Sequence, residues 1–380
     1  MSLNRKKIFC WAGWYRLNAD DYKAIFIKKH LEIISEIADV YCFHITHQKN
    51  HKWFRKYTLK ENFGDVHIHI IPAFFPLKIL GYFLIPVIEY FRSKRRLKKI
   101  DIFHLHCSYP YAAFTLFLRF FNIKKWILTE HWSGYTFFDN QYARLNILLK
   151  YLIKRFLHRC NKLSTPSEFL MNQMIERFSF LSNKIFLTHN LIIIPDVISN
   201  TKILNQTLKL LSISNLTDYP KNISFLLEVI KEVSNQIPIT LDIYGDGRDK
   251  ELLIKKAQQL NILNKIVFFK GKVSNDKISE IYHQYHAFIL LSRFETFSIV
   301  AAEAIAHGLP VIVTKCGGPE EFVNESNGYL VPINDLNATV NAILDLYQKY
   351  SKFSPQKVQQ TIIHKYNKDT IKQQFEQLCQ

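Results

Sequence analysis

The sequence predicts an α/β fold in which two units each contain a mainly parallel β-sheet. Short apolar runs of strand length alternate with longer mixed segments in both halves of the chain, and this alternation is typical of βαβ units. The length of 380 residues is sufficient for two or three domains. Periodicity is lost between residues 191 and 206, and we interpret this stretch as the boundary between the units.

The first half contains six predicted strands. They are 8–12, 40–45, 66–72, 101–106, 125–129 and 184–188, and the predicted helices between them are 22–37, 76–98, 111–122, 140–158 and 167–178. The first apolar run follows three basic residues, as in a signal peptide, but no small-residue cleavage site comes after it. A first β-strand is therefore the preferred interpretation.

The second half repeats the pattern. Its predicted strands are 209–214, 239–244, 265–270, 287–291 and 310–314, and its predicted helices are 222–235, 248–260, 276–284, 298–307 and 335–350.

Basic residues are concentrated in the first half. The net charge is +18, and residues 1–200 carry 30 Lys and Arg against 14 Asp and Glu. Such an imbalance indicates that one unit meets an anionic partner. The six cysteines include no CxxC pair, so a metal or disulfide framework is not expected and a reducing cytoplasm is favoured.

Residues 76–99 give the clearest local signal for that anionic partner. Aromatic and aliphatic residues run directly into six basic ones, a pattern typical of an interfacial helix on an anionic membrane. The apolar part is too short and too interrupted to span a bilayer. A core helix with a solvated basic end is the alternative interpretation, and nucleic acid is the least favoured partner.

Residues 292–332 carry the strongest functional signal. Ser298 precedes an Ala-rich run predicted to be helical, and the free N–H groups of such a helix start suit a diphosphate. Glu295 lies before the predicted helix and Glu303 within it, so the two acids would reach different parts of one extended ligand. Seven of the 11 glycines fall between 245 and 328, mostly after predicted strands, where backbone must approach a ligand closely.

The stretch from 209 to 332 resembles the C-terminal half of the retaining GT-B glycosyltransferases of family four. Their E-x7-E signature segment is matched in order by Ser292, Glu295, Phe297, Ser298, Glu303, Ala304, Ala306, Gly308, Pro310, Val311, Gly317, Gly318 and Glu321. The first half is similar at Gly13, at the pair Glu130 and His131, and at the pair His189 and Asn190.

The resemblance implies a GT-B fold, in which two Rossmann-like domains with parallel sheets face each other across a deep cleft. The N-terminal, acceptor-binding domain would span 1–195 and the nucleotide-sugar domain 205–355. A C-terminal helix at 356–380 would cross back to the N-terminal domain.

The resemblance also implies residue roles. Glu303 would bind the ribose hydroxyls and Glu295 the donor sugar, and Lys221 would hold the diphosphate. His131, near the sugar, would be catalytic together with Glu295 and Lys221. The other implied donor-binding residues are Phe297, Ser298 and Ile299 through backbone N–H groups, Gly13 and Gly245 in glycine loops, Asn215, and Lys272 and Val273 beside the base.

One position departs from the family pattern. Family members carry an arginine about six residues before the lysine, and here that position is Asn215. An asparagine brings no charge to the diphosphate. We expect another base to substitute, with Arg293, Arg16 and Arg248 as candidates.

The expected activity is retaining transfer of a hexose from a nucleotide diphosphate sugar to a saccharide or polyisoprenyl-linked acceptor. It belongs to surface polysaccharide, lipopolysaccharide or glycan assembly, at the inner face of the cell membrane. No metal or other cofactor is expected, and His67, His69, His104 and His106 are interpreted as ordinary strand histidines. The alternatives are a phosphorylase or epimerase of this fold, or a non-enzymatic scaffold that binds nucleotide sugar or membrane.

Overall fold

The computed structural model describes residues 5–18, 24–48, 52–74, 76–195, 204, 206–273 and 275–380. The chain divides into two compact units. Unit 1 comprises Met1–Leu191 and Lys368–Gln380, and unit 2 comprises Ile192–Asn367.

Unit 1 begins with strand β1 and contains a mainly parallel sheet. Its elements up to the boundary are β1 (Lys6–Ala12), α1 (Ile25–Ile37), β2 (Ala38–Gln48), β3 (Arg55–Glu61), β4 (Gly64–Pro72), α2 (Leu77–Leu97), β5 (Ile102–His106), β6 (Lys125–Thr129), α3 (Gln141–Arg144), α4 (Ile147–Arg159), β7 (Lys162–Thr165), α5 (Glu168–Arg177) and β8 (Ile185–Leu187). The strand order is β3-β4-β2-β1-β5-β6-β7-β8, and only β3 pairs antiparallel.

Unit 2 has a fully parallel sheet among its described strands. Its elements are β9 (Leu208–Ile213), α6 (Asp218–Lys221), α7 (Ile223–Val233), β10 (Ile239–Tyr244), α8 (Lys250–Gln259), β11 (Val267–Gly271), α9 (Asn275–Tyr282), β12 (Ala287–Leu290), α10 (Ile299–Ala306), β13 (Val311–Thr314), β14 (Gly328–Val331), α11 (Leu336–Lys349) and α12 (Pro355–Tyr366). The strand order is β11-β10-β9-β12-β13-β14.

The predicted C-terminal helix is in fact two helices. Helix α12 ends at Tyr366 within unit 2, and helix α13 (Lys368–Cys379) belongs to unit 1. The break lies at Asn367, whose backbone is extended and whose side-chain amide donates to the carbonyl of Ile363 at 3.0 Å. An Asn side chain that satisfies the last helical carbonyls favours a helix end at this point.

The α/β prediction is confirmed, with local differences. The segment 111–122 forms two short 3-10 turns instead of a helix, and Thr115 Oγ1 donates to the carbonyl of Ala112 within them. Such a side chain competes with helical hydrogen bonding. Strands β3, β7 and β14 were not predicted. β3 lies at a sheet edge with exposed polar residues, β7 (KLST) contains one apolar residue, and β14 (GYLV) begins with a glycine that reads as part of a turn.

Each strand order reverses at a central pair of strands. In unit 1, β2 to β4 lie on one side of β1, and β5 lies on its other side with β6 to β8 beyond. In unit 2, β10 and β11 lie on one side of β9, and β12 to β14 lie on the other side. Loops on the two sides of such a reversal diverge and leave a crevice at the carboxyl edge of the sheet, where ligands bind in open parallel sheets. The fold therefore places one candidate ligand edge in each unit.

The structure also bears on the question of membrane-spanning helices. Among the residues it describes, no helix combines the length and the apolarity needed to cross a bilayer.

Candidate active site

The centre of the site in unit 2 is an ion pair between loops that follow neighbouring strands. Lys221, at the end of α6, places its Nζ 2.6 Å from Oε1 of Glu295, in the loop after β12. Ser292 Oγ donates to the same oxygen at 2.8 Å. The side chains of Lys221 and Glu295 are 22% and 12% exposed, so both are largely withdrawn from solvent yet reachable by a ligand.

The backbone of Glu295 is fixed by the loop that follows β13. Its N–H donates to the carbonyl of Cys316 at 2.9 Å, and its carbonyl accepts from the N–H of Gly318 at 2.9 Å. A Cβ on Gly318 would lie 2.4 Å from Cα of Phe297, so only glycine permits this approach. The Glu320 carboxylate accepts from the N–H of Gly317 at 2.9 Å and closes the turn.

Helix α10 starts directly behind this loop. Ser298 precedes the helix with a φ of 74°, and its carbonyl accepts the first helical hydrogen bond, from Ala302. The N–H groups of the first three residues, 299–301, therefore have no acceptor within the helix. A helix N-terminus of this kind attracts anions.

Glu303 lies further along α10 and is half-buried. Burial raises the pKa of the Tyr282 hydroxyl, and the nearby charge of Glu303 raises it further. Glu295 precedes the helix and Glu303 lies within it, as the sequence predicted. The two carboxylates are thus held by different elements at different positions along one ligand edge.

The loops after β9 and β10 are tied together beside the ion pair. Leu216 N–H donates to the carbonyl of Asp246 at 3.1 Å, and Gly245 N–H donates to the carbonyl of Gly271 at 2.8 Å. Asn215 is exposed and accepts from Thr217 Oγ1 at 3.2 Å.

Gly245 has a φ of 142°, and a Cβ there would lie 1.8 Å from the Ser214 carbonyl oxygen. Lys272 is exposed and lies 3.5 Å from Asp246, and Val273 is half-buried against the core. These residues all follow carboxyl ends of strands in unit 2, together with Glu295 and Lys221.

Of the three arginines expected to replace the missing cation, one lies beside the ion pair. The backbone N–H of Arg293 donates to the carbonyl of Pro220 at 2.8 Å. The side-chain Nε of Arg293 is buried without a partner among the described residues. Arg16 belongs to unit 1 and is engaged by Glu61 at 2.6 Å, while Arg248 is 72% exposed.

Gly13 and His131 lie at the carboxyl edge of the sheet of unit 1. The Gly13 N–H donates to the carbonyl of His106 at 2.9 Å, and a Cβ on Gly13 would lie 2.3 Å from that oxygen. The His131 ring is buried, with its centroid 4.4 Å from that of Phe26. Burial holds the pKa of the His131 imidazole well below its usual value, so the ring is neutral at pH 7.

Sequence reasoning matched Glu130 to the family pattern without giving it a role, and the structure supplies one. The buried carboxylate of Glu130 accepts from the N–H groups of His131 and Trp132 at 2.9 Å each and from the N–H of Ser108 at 3.0 Å. Glu130 therefore joins the loops after β5 and β6 and fixes the start of the His131 loop. Its position directly after a buried strand was the available signal.

The chain matches two family models over most of its length. The model described as "Glycosyl transferases group 1" matches residues 207–349, and the model described as "Glycosyltransferase Family 4" matches residues 39–193.

The chain is also similar to curated proteins. It is 30% identical over 161 residues to an uncharacterised glycosyltransferase of Methanocaldococcus jannaschii, covering 37% of this chain and 41% of that protein. It is 21% identical over 294 residues to the N-acetyl-alpha-D-glucosaminyl L-malate synthase of Bacillus anthracis, covering 73% of this chain and 74% of that protein.

Solved structures share the fold along nearly the whole chain. The sucrose-phosphate synthase of Thermosynechococcus elongatus matches with a TM-score of 0.75 at 17% identity, covering 98% of each chain. The lipopolysaccharide outer core galactosyltransferase WaaB matches with a TM-score of 0.70 at 16% identity, also covering 98% of each chain. Together with the ion pair and helix start described above, these matches show that the chain belongs to the group 1, family 4 glycosyltransferases of GT-B fold.

Proposed function

We propose that the protein transfers a hexose from a nucleotide diphosphate sugar to a hydroxyl of a saccharide acceptor, with retention at the anomeric carbon. The observation that carries the proposal is the Lys221–Glu295 ion pair beside the N-terminus of α10. A cation and free N–H groups at one place suit a diphosphate, and a fixed carboxylate next to them suits sugar hydroxyls.

The ion pair serves the reaction by exchange of partners. In the empty site, Glu295 neutralises Lys221. When a donor binds, the diphosphate becomes the stronger anionic partner of Lys221, and the Glu295 carboxylate is released to accept hydrogen bonds from the sugar. The pair thereby avoids an uncompensated charge in either state.

Leaving-group stabilisation is the main catalytic contribution that these residues can make. As the bond from the anomeric carbon to the diphosphate breaks, negative charge grows on the β-phosphate, where Lys221 and the α10 N–H groups would hold it. The departing β-phosphate oxygen takes the proton of the acceptor hydroxyl as the new glycosidic bond forms on the same face. We propose that Arg293 supplies the second cation in place of Asn215, and that the transfer step requires no metal.

The acceptor is proposed to be lipid-linked, because α2 exposes an apolar surface beside a basic one. The exposed apolar residues of α2 are Ile79, Leu80, Phe83, Leu84, Ile88 and Phe91. Its last turns carry Arg92, Lys94, Arg95 and Arg96. Its buried side holds Gly81, Tyr82, Ile85, Pro86 and Tyr90 together with Glu89 and Ser93. A solvated helix with one buried apolar face would carry polar residues on its other face, whereas α2 exposes a second set of apolar residues there. This second apolar face, next to the basic end, favours a membrane surface.

A donor screen on the purified protein tests the activity. UDP-, GDP- and dTDP-sugars are incubated without acceptor, and nucleotide release is followed. UDP-N-acetylglucosamine comes first, because several relatives are named as UDP-N-acetylglucosamine–peptide N-acetylglucosaminyltransferase subunits. We expect slow release from one donor, lost in Glu295→Ala and kept in Lys265→Ala, an exposed lysine near the other end of the sheet.

The opposite result would favour the alternative functions. No nucleotide release and no thermal stabilisation by any donor would leave a non-enzymatic scaffold as the better interpretation. Turnover that depends on free phosphate would instead indicate a phosphorylase.

A further inference from the structure

Three buried histidines from distant parts of the sequence meet in unit 1. His30 lies on α1, His106 is the last residue of β5, and His131 follows β6. Their candidate ligating nitrogens all lie within 4.8 Å of one another. Their relative exposures are 0%, 0% and 7%, so the three rings are withdrawn from bulk solvent.

Four ring nitrogens of this histidine cluster lack hydrogen-bond partners among the residues that the structure describes. They are Nδ1 of His30, both ring nitrogens of His106 and Nε2 of His131. Buried polar atoms are normally hydrogen-bonded, and each unpaired one costs roughly 1–3 kcal/mol. Several such atoms on three neighbouring buried rings indicate a ligand that accepts nitrogen lone pairs.

His30 is held in the orientation of a metal ligand. Its Nε2 lies 3.2 Å from the carbonyl oxygen of His189, and only a protonated Nε2 can donate to that oxygen. This tautomer leaves the lone pair on Nδ1, which has no hydrogen-bond partner among the described residues. Metal-bound histidines commonly donate their other N–H to a carbonyl in this way.

The other histidines considered as ligands have different partners. His67 Nδ1 lies 3.2 Å from Thr58 Oγ1, and His69 Nε2 lies 3.0 Å from the Glu89 carboxylate. His104 Nε2 is bonded to Thr129 at 2.8 Å. The sequence offered only pairs two residues apart, and the fold supplies the missing ligands from α1 and from the loop after β6.

We propose that His30, His106 and His131 bind one divalent transition-metal ion of the zinc class, with a small oxygen ligand in the fourth position. Three imidazoles suit Zn²⁺ at about 2.0–2.1 Å, so metal binding would draw the three nitrogens closer together than their present separation of up to 4.8 Å. The ion would cross-link α1, β5 and the loop after β6, and His131 would then contact the donor through its backbone alone.

Metal content and Co²⁺ spectroscopy on the full-length, tag-free protein test this proposal. After removal of loosely bound metal, we expect close to one equivalent of Zn²⁺ by elemental analysis. Substituted Co²⁺ should give the intense visible absorption of a tetrahedral nitrogen site. Neither measurement depends on turnover, so a failure here is distinct from a failure of the proposed transferase activity.

Two substitutions and one control assign the site. His106→Leu and His30→Leu should each weaken Co²⁺ binding on the order of 100-fold or more, since one of three protein ligands is lost. His44→Gln alters another buried strand histidine outside the cluster and should bind normally. If the variants do not fold, the wild-type spectrum decides. A weak octahedral Co²⁺ spectrum, less than a fifth of an equivalent of metal, or unchanged binding in the folded variants would overturn the proposal.

Discussion

At the residue scale, Lys221 is the side chain on which the proposed chemistry depends most. We expect Lys221→Ala to lower turnover by roughly 100-fold or more, because a charged donor at the leaving group is worth a few kcal/mol. Steady-state kinetics with the donor identified by the screen would measure this, with Lys265→Ala as the control. A near-normal rate would remove Lys221 from the mechanism.

Two substitutions of Arg293 distinguish a role of its charge in the proposed reaction from a role of its side chain in folding. Arg293→Lys keeps the charge and Arg293→Met removes it, while both retain a long stem. If Arg293 replaces the cation missing at Asn215, the Arg293→Met variant should have a kcat lower by roughly 10-fold or more, and the Arg293→Lys variant should keep a higher kcat than Arg293→Met. Equal, small losses in the two variants would indicate packing alone.

Ser298 carries backbone strain that glycine would relieve. Its φ of 74° is in the left-handed region, and its Oγ is buried without a partner in the described part of the chain. Ser298→Gly should therefore raise the free energy of unfolding by about 1 kcal/mol and leave the backbone N–H groups in place. Urea unfolding would measure the gain, and Asn264→Gly, at a residue that tolerates a φ of 56°, should show much less.

At the element scale, buried histidines make strand packing in unit 1 sensitive to acid. His44 on β2 lies 2.7 Å from the Ala12 carbonyl at the end of β1, near Tyr15 and His69. Burial lowers its pKa to about 4. Between pH 6.5 and 4 the unfolded chain binds a proton at His44 and the folded protein does not, so the free energy of unfolding falls as the pH falls.

The size of this loss can be isolated with His44→Gln. From pH 7 to 5, wild type should lose about 2 kcal/mol more unfolding free energy than the variant, from the shift of its pKa. Urea titrations at the two pH values would measure the difference. An identical loss in both proteins would show that His44 is not the neutral, buried group described.

Helix α2 should determine membrane affinity. Phe83 and Leu84 are 41% and 50% exposed, so their insertion contributes on the order of 1 kcal/mol each. Phe83→Ser with Leu84→Ser should weaken binding to anionic vesicles by roughly 30-fold, measured by sedimentation. Leu252→Ser, at an exposed leucine of α8 in unit 2, is the matched control. If the double variant binds the vesicles as tightly as wild type, α2 is a solvent-exposed helix that takes no part in membrane binding.

At the scale of the whole molecule, each unit should respond to changes in its own core. Phe375 of α13 is fully buried in unit 1, and Leu346 of α11 is fully buried in unit 2. Replacing either residue by alanine should lower the free energy of unfolding of its own unit by about 2–5 kcal/mol. In calorimetry, the two substitutions should therefore lower the temperatures of two different unfolding transitions. A bound nucleotide should raise the temperature of the transition that Leu346→Ala lowers. A single transition shifted equally by both variants would contradict this.

The sequence predicted the architecture well because apolar runs and the spacing of apolar residues are local signals. Strands such as β5 and helices such as α10 read directly from apolar runs. What it missed depends on partners distant along the chain. The antiparallel strand β3 needs β4 beside it, and the break at Asn367 depends on a side-chain contact with the preceding turn.

The same distinction holds for the candidate site. Glu295 was identified from its own segment and Lys221 from a resemblance, but their mutual ion pair joins residues 74 positions apart. The spacing of His104 and His106 was visible, whereas the approach of His30 and His131 to His106 required the folded sheet. Long-range contacts of this kind leave no periodic pattern in a sequence.

The placement of α13 has a consequence for biosynthesis. Unit 2 is a continuous stretch of chain, whereas unit 1 is completed only by a helix that is made after the whole of unit 2. At roughly 5–20 residues per second, the ribosome leaves the apolar surface that receives Ile371, Phe375 and Leu378 uncovered for on the order of ten seconds or more. The half of the protein that is synthesised first therefore matures last, and nascent unit 1 is the form most exposed to chaperones and to aggregation.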